Sequence, residues 1–213
     1  EYNQKLDQKY FDFKITNGQR ALESEKNGYS IVGKASDDDS YRGVILVNKD
    51  SSINNIADLK NKTIASPGEA ALAGHMMPML YLYKNGLNVK TDFRVLYSSS
   101  FESAILNIYL GKCSAGFSWI SNWNSFIKRR PEIGSRVALQ WKTPALINTA
   151  ILFRNDMDSA TTTELRSLLF SLNKSTEGRK ALDPIGFTGF EFADSSTYLP
   201  VKTFLLEYNS VLH

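Results

Sequence analysis

Apolar residues fall along this chain in short β-branched runs, each closed by a polar turn and followed by a stretch of helical spacing. The run over 41–47 (YRGVILV), ended by the polar turn of residues 48–52, predicts a buried strand. A brief helix is expected over 53–61, then a second strand over 62–66 (KTIAS). Ser66, Pro67, Gly68 and Glu69 combine a hydroxyl, a proline in the first turn and an acid three residues on, which predicts the capped start of a helix running to Gly86. The pattern then repeats. Residues 92–98 are expected as strand, Ser99 to Glu102 as a second capping box, 104–110 as helix with Gly111 as its stop, and 114–120 as strand. Further on, 149–153 (TAILF) is another apolar strand. A helix opened by Thr161 and Glu164 spans 161–173, and a last helix begins near Pro200 after the turn-rich segment 183–190.

Strands that alternate with helices predict parallel sheets with helices on their faces, hence an α/β protein whose ligand crevice lies beyond the carboxyl ends of the strands. No Gly/Ser linker, internal repeat or low-complexity segment interrupts the pattern. Two lobes, if present, must be joined by strands.

At 213 residues the chain can form one large domain or two small lobes, and 42% hydrophobic with 22% charged residues is an ordinary globular composition. Its 25 basic and 22 acidic residues are spread along the chain, so the net charge of +3 creates no field directed at nucleic acid. Lys128, Arg129 and Arg130 form the one compact basic cluster, which fits a solvated helix end before Pro131 better than a phosphate patch. The single cysteine, Cys113, and two distant histidines, His75 and His213, offer neither a disulfide nor a metal site. No run of 18 apolar residues occurs, and the chain opens at Glu1 without an apolar leader; a cytosolic protein or a removed leader is expected. Enzyme motifs are missing too: there is no G-x-S-x-G, H-E-x-x-H, Walker lysine or dinucleotide fingerprint. Glu69 and Glu102 could form an acid and base pair, but both have capping explanations, so no enzyme and no cofactor is expected.

The segment Tyr41 to Leu59, YRGVILVNKDSSINNIADL, resembles the Y-x-x-V-x-x-V-x-K-D-S-x-I-x-x-x-x-D-L block of the phosphonate-, phosphite- and phosphate-binding proteins that serve ABC importers. Beyond Leu59 the order of elements is also similar: a strand, a proline-glycine turn, a helix ending L-x-x-x-G-L at Leu82 to Leu87, and later Thr143-Pro144 before a strand ending in Phe153-Arg154. The resemblance covers nearly the whole chain. It implies the type II periplasmic-binding-protein fold, in which two α/β lobes joined by two crossing strands trap ligand between them. Residues 48–149 would form the inserted lobe, with 1–47 and 150–213 forming a discontinuous terminal lobe. Because Phe11-Asp12-Phe13 resembles a strand that comes late in the family's first lobe, the terminal lobe is expected to be incomplete. Implied partners are a small-molecule ligand and an ABC permease, or else a membrane signalling protein in a sensor. The implied location is periplasmic or otherwise extracytoplasmic.

The resemblance also places candidate ligand-binding residues. The family grips phosphonate oxygens with a Ser-Thr-Ser-Gly turn at a helix start, where this chain has Ala71, Leu72, Ala73 and Gly74. Hydrogen bonds to a charged group contribute roughly 1.5 to 3 kcal/mol each, so losing three hydroxyls should cost at least about 4 kcal/mol, on the order of a thousandfold in affinity. At the second helix start Ser99, Ser100, Phe101 and Glu102 keep the family's acid but put a phenyl ring in place of an imidazole. Acids that hold an ammonium in aminophosphonate binders align near Ser121 and near Thr149, which follows Asn148; both positions are neutral here. Tyr41 matches a ligand-facing aromatic, Trp119 is a candidate beside it, and Asn17 borders the site from the other lobe. His75, next to the turn glycine, is expected on the helix surface with ligand contact as the alternative, while Met76, Met77 and Met79 are expected in the core. Together these substitutions point to a less charged, aromatic or larger ligand, or equally to a cleft that has lost ligand binding.

Overall fold

The structure, a computed structural model, describes Lys5 and residues 9–212. In chain order its elements begin with β1 (Phe13–Thr16), α1 (Gly18–Glu25), β2 (Tyr29–Ala35), β3 (Gly43–Asn48) and β4 (Thr63–Ser66). A π-helical turn (Leu72–Met76) then leads into α2 (Met77–Lys84), followed by β5 (Arg94–Tyr97), α3 (Phe101–Tyr109) and β6 (Ala115–Trp119). Next come α4 (Ile120–Arg129), α5 (Ile133–Arg136), β7 (Val137–Lys142) and β8 (Ala150–Arg154). The chain closes with α6 (Ser159–Ser171), α7 (Thr176–Leu182), β9 (Phe190–Glu191) and α8 (Leu199–Leu212). Two compact units result, Glu1–Asp39 with Leu146–Leu206, and Ser40–Ala145 with Glu207–His213.

The unit containing Ser40–Ala145 is built on a five-stranded sheet ordered β5-β4-β6-β3-β7. Every residue of β3 is buried, as its unbroken apolar run requires for a strand covered on both faces. Val44 and Leu46 from β3 pack with Ile105 and Ile108 from α3, Trp123 and Phe126 from α4, Ile133 and Val137. Trp123 is therefore a core residue, its spacing from Phe126 placing both on the buried face of α4. Met76, Met77 and Met79 are buried as expected.

The other unit carries a four-stranded sheet ordered β1-β8-β2-β9. Its core sets Ala35, Ile151, Phe153, Leu182 and Phe190 against half-buried side chains such as Leu165, Leu169 and Phe170 of α6. Buried Lys34 is held by Asp38 at 3.0 Å and Glu191 at 2.6 Å. Burial pulls its pKa down, but the hydrogen bonds and charges of the two acids outweigh that and raise it.

Several expectations are corrected. Only β4 pairs in parallel, with β5 and β6; β3 runs antiparallel to β6 and β7, and every pair in the four-stranded sheet is antiparallel. The reason is that neighbours in space are not neighbours in sequence: β8 enters between β1 and β2, and local alternation does not encode its direction. Ser66 does not cap a helix. It ends β4 fully buried, Gly68 takes φ +146° to carry the loop onward, and the helix starts only at Leu72. The second cap is Ser100, not Ser99: its hydroxyl accepts from the Ser103 amide, and the Ser103 hydroxyl accepts from the Ser100 amide. The α6 cap is Asp158, which accepts from Thr161 N–H at 2.8 Å and starts the helix two residues before the expected Thr161. Residues 53–61 form only a 3-10 turn at Ile56–Leu59. The stops at Gly86 and Gly111 lie as expected, each glycine taking positive φ past its helix end.

Candidate functional site

Because β4, β5 and β6 run in parallel, their carboxyl ends at Ser66, Tyr97 and Trp119 lie at one end of the five-stranded sheet. Antiparallel β3 begins at that same end, with Gly43 opposite Trp119. Tyr41, the Ala71–His75 turn, the Ser99–Glu102 helix start and Trp119–Ser121 are thereby gathered on the side where α/β sheets bind ligands.

The turn at residues 71–75 is tightly seated. A side chain at Gly43 would meet Ala73 O at 2.6 Å and Pro78 Cδ at 2.7 Å, so only glycine in β3 lets the helix start pack this closely. Ala71 caps the helix without a side-chain hydrogen bond, and its carbonyl accepts from both His75 N–H (2.7 Å) and Met76 N–H (3.1 Å). The first amides of the helix, Leu72 to Gly74, have no intrahelical acceptor, as at any helix start. An aromatic ring packs beside this turn. A Cβ at Gly74 would fall within contact of Phe101, with Cζ at 2.9 Å and Pro67 Cγ at 3.1 Å.

His75 is not on the helix surface as expected; only 2% of it is exposed. The π-turn swings it inward, where Nδ1 hydrogen-bonds to Ser66 Oγ at 2.8 Å and its ring lies 5.8 Å from Tyr97 and 6.2 Å from Phe117. Burial lowers its pKa to about 4 against a smaller upward pull from the Glu69 charge, so the imidazole is neutral at physiological pH. Burial raises the Tyr97 phenol to about 12, helped by a hydrogen bond to Glu69, and Tyr208 is raised to about 12 by burial and the Glu69 charge. Glu69 therefore acts electrostatically on its surroundings; it does not cap the helix.

Tyr41 is buried, its phenol pushed upward by desolvation, with its ring 5.9 Å from Trp119. Glu102 pairs with Arg129 at 2.7 Å. The basic cluster Lys128–Arg130 closes α4 as expected of a solvated helix end, Arg130 pairing with Glu132. Ser121 lies half-buried in the first turn of α4.

In the four-stranded sheet, Thr16 stands opposite Ala150, and Ala35 N–H donates to Thr149 O at 2.7 Å. Asn17, Asn148 and Thr149 thus share one end of that sheet. Asn17 caps α1 by accepting from Arg20 N–H at 3.0 Å. Asn148 is buried, and both its amide protons are spent on the carbonyls of Ser36 (3.2 Å) and Asp37 (3.0 Å). Sequence reasoning missed Ser66, Tyr97 and Phe117 as neighbours of His75. Ser66 was hidden by its match to a capping pattern, the other two by strand spacing alone.

Among the described residues no group of three or more His, Cys, Asp or Glu side chains is placed to hold a metal ion, and no helix is long and apolar enough to cross a membrane. His213 lies outside the described residues.

Fold and site face together define a type II periplasmic-binding-protein-like α/β chain. A family model described as "ABC transporter, phosphonate, periplasmic substrate-binding protein" matches residues 1–198. The chain belongs to that family. It is 23% identical over 171 residues to the phosphonates-binding periplasmic protein of Escherichia coli K12, covering 78% of this chain and 50% of that protein. Among solved structures it is similar to a binding-protein component of a phosphonate transporter from Pseudomonas aeruginosa (TM-score 0.86, 20% identity, 98% of this chain and 72% of that one). It is also similar to PhnD1 from Prochlorococcus marinus in complex with methylphosphonate (TM-score 0.85, 23% identity, 97% and 81%). The chain spans between 50% and 65% of the length of the curated relatives it matches.

Proposed function

We propose that this chain is the ligand-capturing part of an extracytoplasmic solute-binding protein for ABC-type uptake, non-catalytic, with a specificity altered from that of the phosphonate binders. Family membership supports the role. The observation that carries the altered specificity is the helix start at Ala71–Gly74. It sets a helix start at the end of the sheet where α/β folds bind ligands, with alanine and leucine in place of hydroxyls and the Phe101 ring against Gly74. With Ser121 and Thr149 neutral, nothing is left at these positions to grip an ammonium. Trp119 and Phe101, both half-buried, supply aromatic surface suited to a less charged solute. A membrane permease is the proposed partner, receiving the loaded protein outside the cytoplasm.

The test is a thermal-shift screen followed by calorimetry with phosphonates, phosphate, sulfonates, amino acids and pyrimidines. At least one compound is expected to raise Tm by several degrees and to change tryptophan fluorescence through Trp119. No shift from any of them would remove the binding reading.

A further inference from the structure

We propose that Phe101 is the specificity-determining residue of this site: its ring closes the helix-start seat at Gly74 to a tetrahedral oxyanion. This deepens the solute-binding reading above and rests on it.

Two observations converge. The ring is in van der Waals contact with Gly74, one of the residues whose amide an oxyanion would have to meet, so an anion seated there would be desolvated against an apolar face. The local charge is also of the wrong sign. The Glu69 carboxylate is felt at His75, Tyr97 and Tyr208, whereas Arg129 is spent on an ion pair with Glu102, the residue after Phe101. A second negative charge brought beside Glu69 is disfavoured.

The test compares wild type, Phe101→Ala and Phe101→Leu by calorimetry with methylphosphonate and inorganic phosphate, with melting curves confirming that all three fold. Wild type and Phe101→Leu, which keeps the bulk, are expected to show no binding below millimolar concentrations. Phe101→Ala is expected to gain at least tenfold in affinity for methylphosphonate. Tight methylphosphonate binding by wild type, or no gain in Phe101→Ala, overturns the proposal while leaving the solute-binding reading in place. So does a wild-type ligand from the wider screen that proves to be an anion. If wild type and both variants bind nothing in that screen, the solute-binding reading itself falls, and this proposal with it.

Discussion

The two units use the same alternation of strands and helices but bury it to different depths. In the five-stranded unit, β3 is buried along its whole length, and the side chains around it on α3, α4 and β7 are themselves almost wholly buried. In the four-stranded unit, α6 has no buried residue at all, and β1 leaves Phe13 and Ile15 exposed on one side while burying Lys14 on the other. The same contrast marks the buried bases. His75 in the first unit is satisfied by Ser66, whereas the Lys14 ammonium meets a hydroxyl at 2.5 Å (Ser24 Oγ) and the face of Tyr29 at 3.9 Å. The lesson is that a central strand covered on both faces carries a core into which part of the candidate site is itself packed, Tyr41, Leu72 and His75 being buried at its end. Both units bury polar groups, but among the described residues the five-stranded unit buries none that is a lysine or an acid, whereas the four-stranded unit buries Lys14 and Lys34.

The sharpest way to break this comparison is to cut one side chain from each core. Leu46→Ala in β3 is expected to cost about 3 kcal/mol or more, as for a fully buried leucine, and Leu169→Ala in α6 only about 1 kcal/mol. Urea unfolding followed by fluorescence and circular dichroism would measure both, and equal losses would show that the units are packed alike.

A smaller effect comes from His75. Its folded pKa lies below the unfolded value, so between pH 6.5 and about 4 the unfolded chain binds the extra proton. Stability should therefore be intact above pH 6.5 and fall as pH drops, by on the order of 2 to 3 kcal/mol near pH 4. His75→Gln should flatten this part of the pH profile.

The smallest effect concerns Lys14, whose pKa burial lowers from 10.5 to about 8. Between those values the folded protein has released a proton that the unfolded chain still holds, so this residue's contribution to stability should rise with pH. Lys14→Met is expected to add about 1 kcal/mol at pH 7 and to remove that rise. A destabilised Lys14→Met variant would show that the ammonium's contacts with Ser24 and Tyr29 outweigh its desolvation.

Much of the scaffold was legible in the chain. The β-branched runs at 43–48, 63–66, 94–97, 115–119 and 150–154 are strands, and Gly86 and Gly111 stop their helices through positive φ. Less legible were β1, α1, β2 and β7, whose apolar positions are interrupted by lysine, serine and glutamine; Lys34, for instance, is buried in β2 only because Asp38 and Glu191 neutralise it. Of the site, the resemblance named residues 41, 71–75, 99–102 and 119–121, but the antiparallel course of β3 that brings Tyr41 to the end where β4, β5 and β6 finish was not legible, nor was the position of each side chain. His75 resembled a surface residue because a π-turn, unlike an α-turn, rotates it inward.

The sequence alone determined what acts over a few residues: which runs are strands, where helices stop, and which hydroxyls the Ala71–Gly74 turn lacks. Tertiary structure decided what depends on residues far apart. It set β8 between β1 and β2, spent Ser66 on His75 instead of on a helix cap, and laid the Phe101 ring against Gly74. The reason is physical. Propensities, turns and hydrophobic spacing are written locally, whereas a buried donor or a bare glycine takes whichever partner the packed chain brings to it, and that partner has no fixed spacing in the sequence.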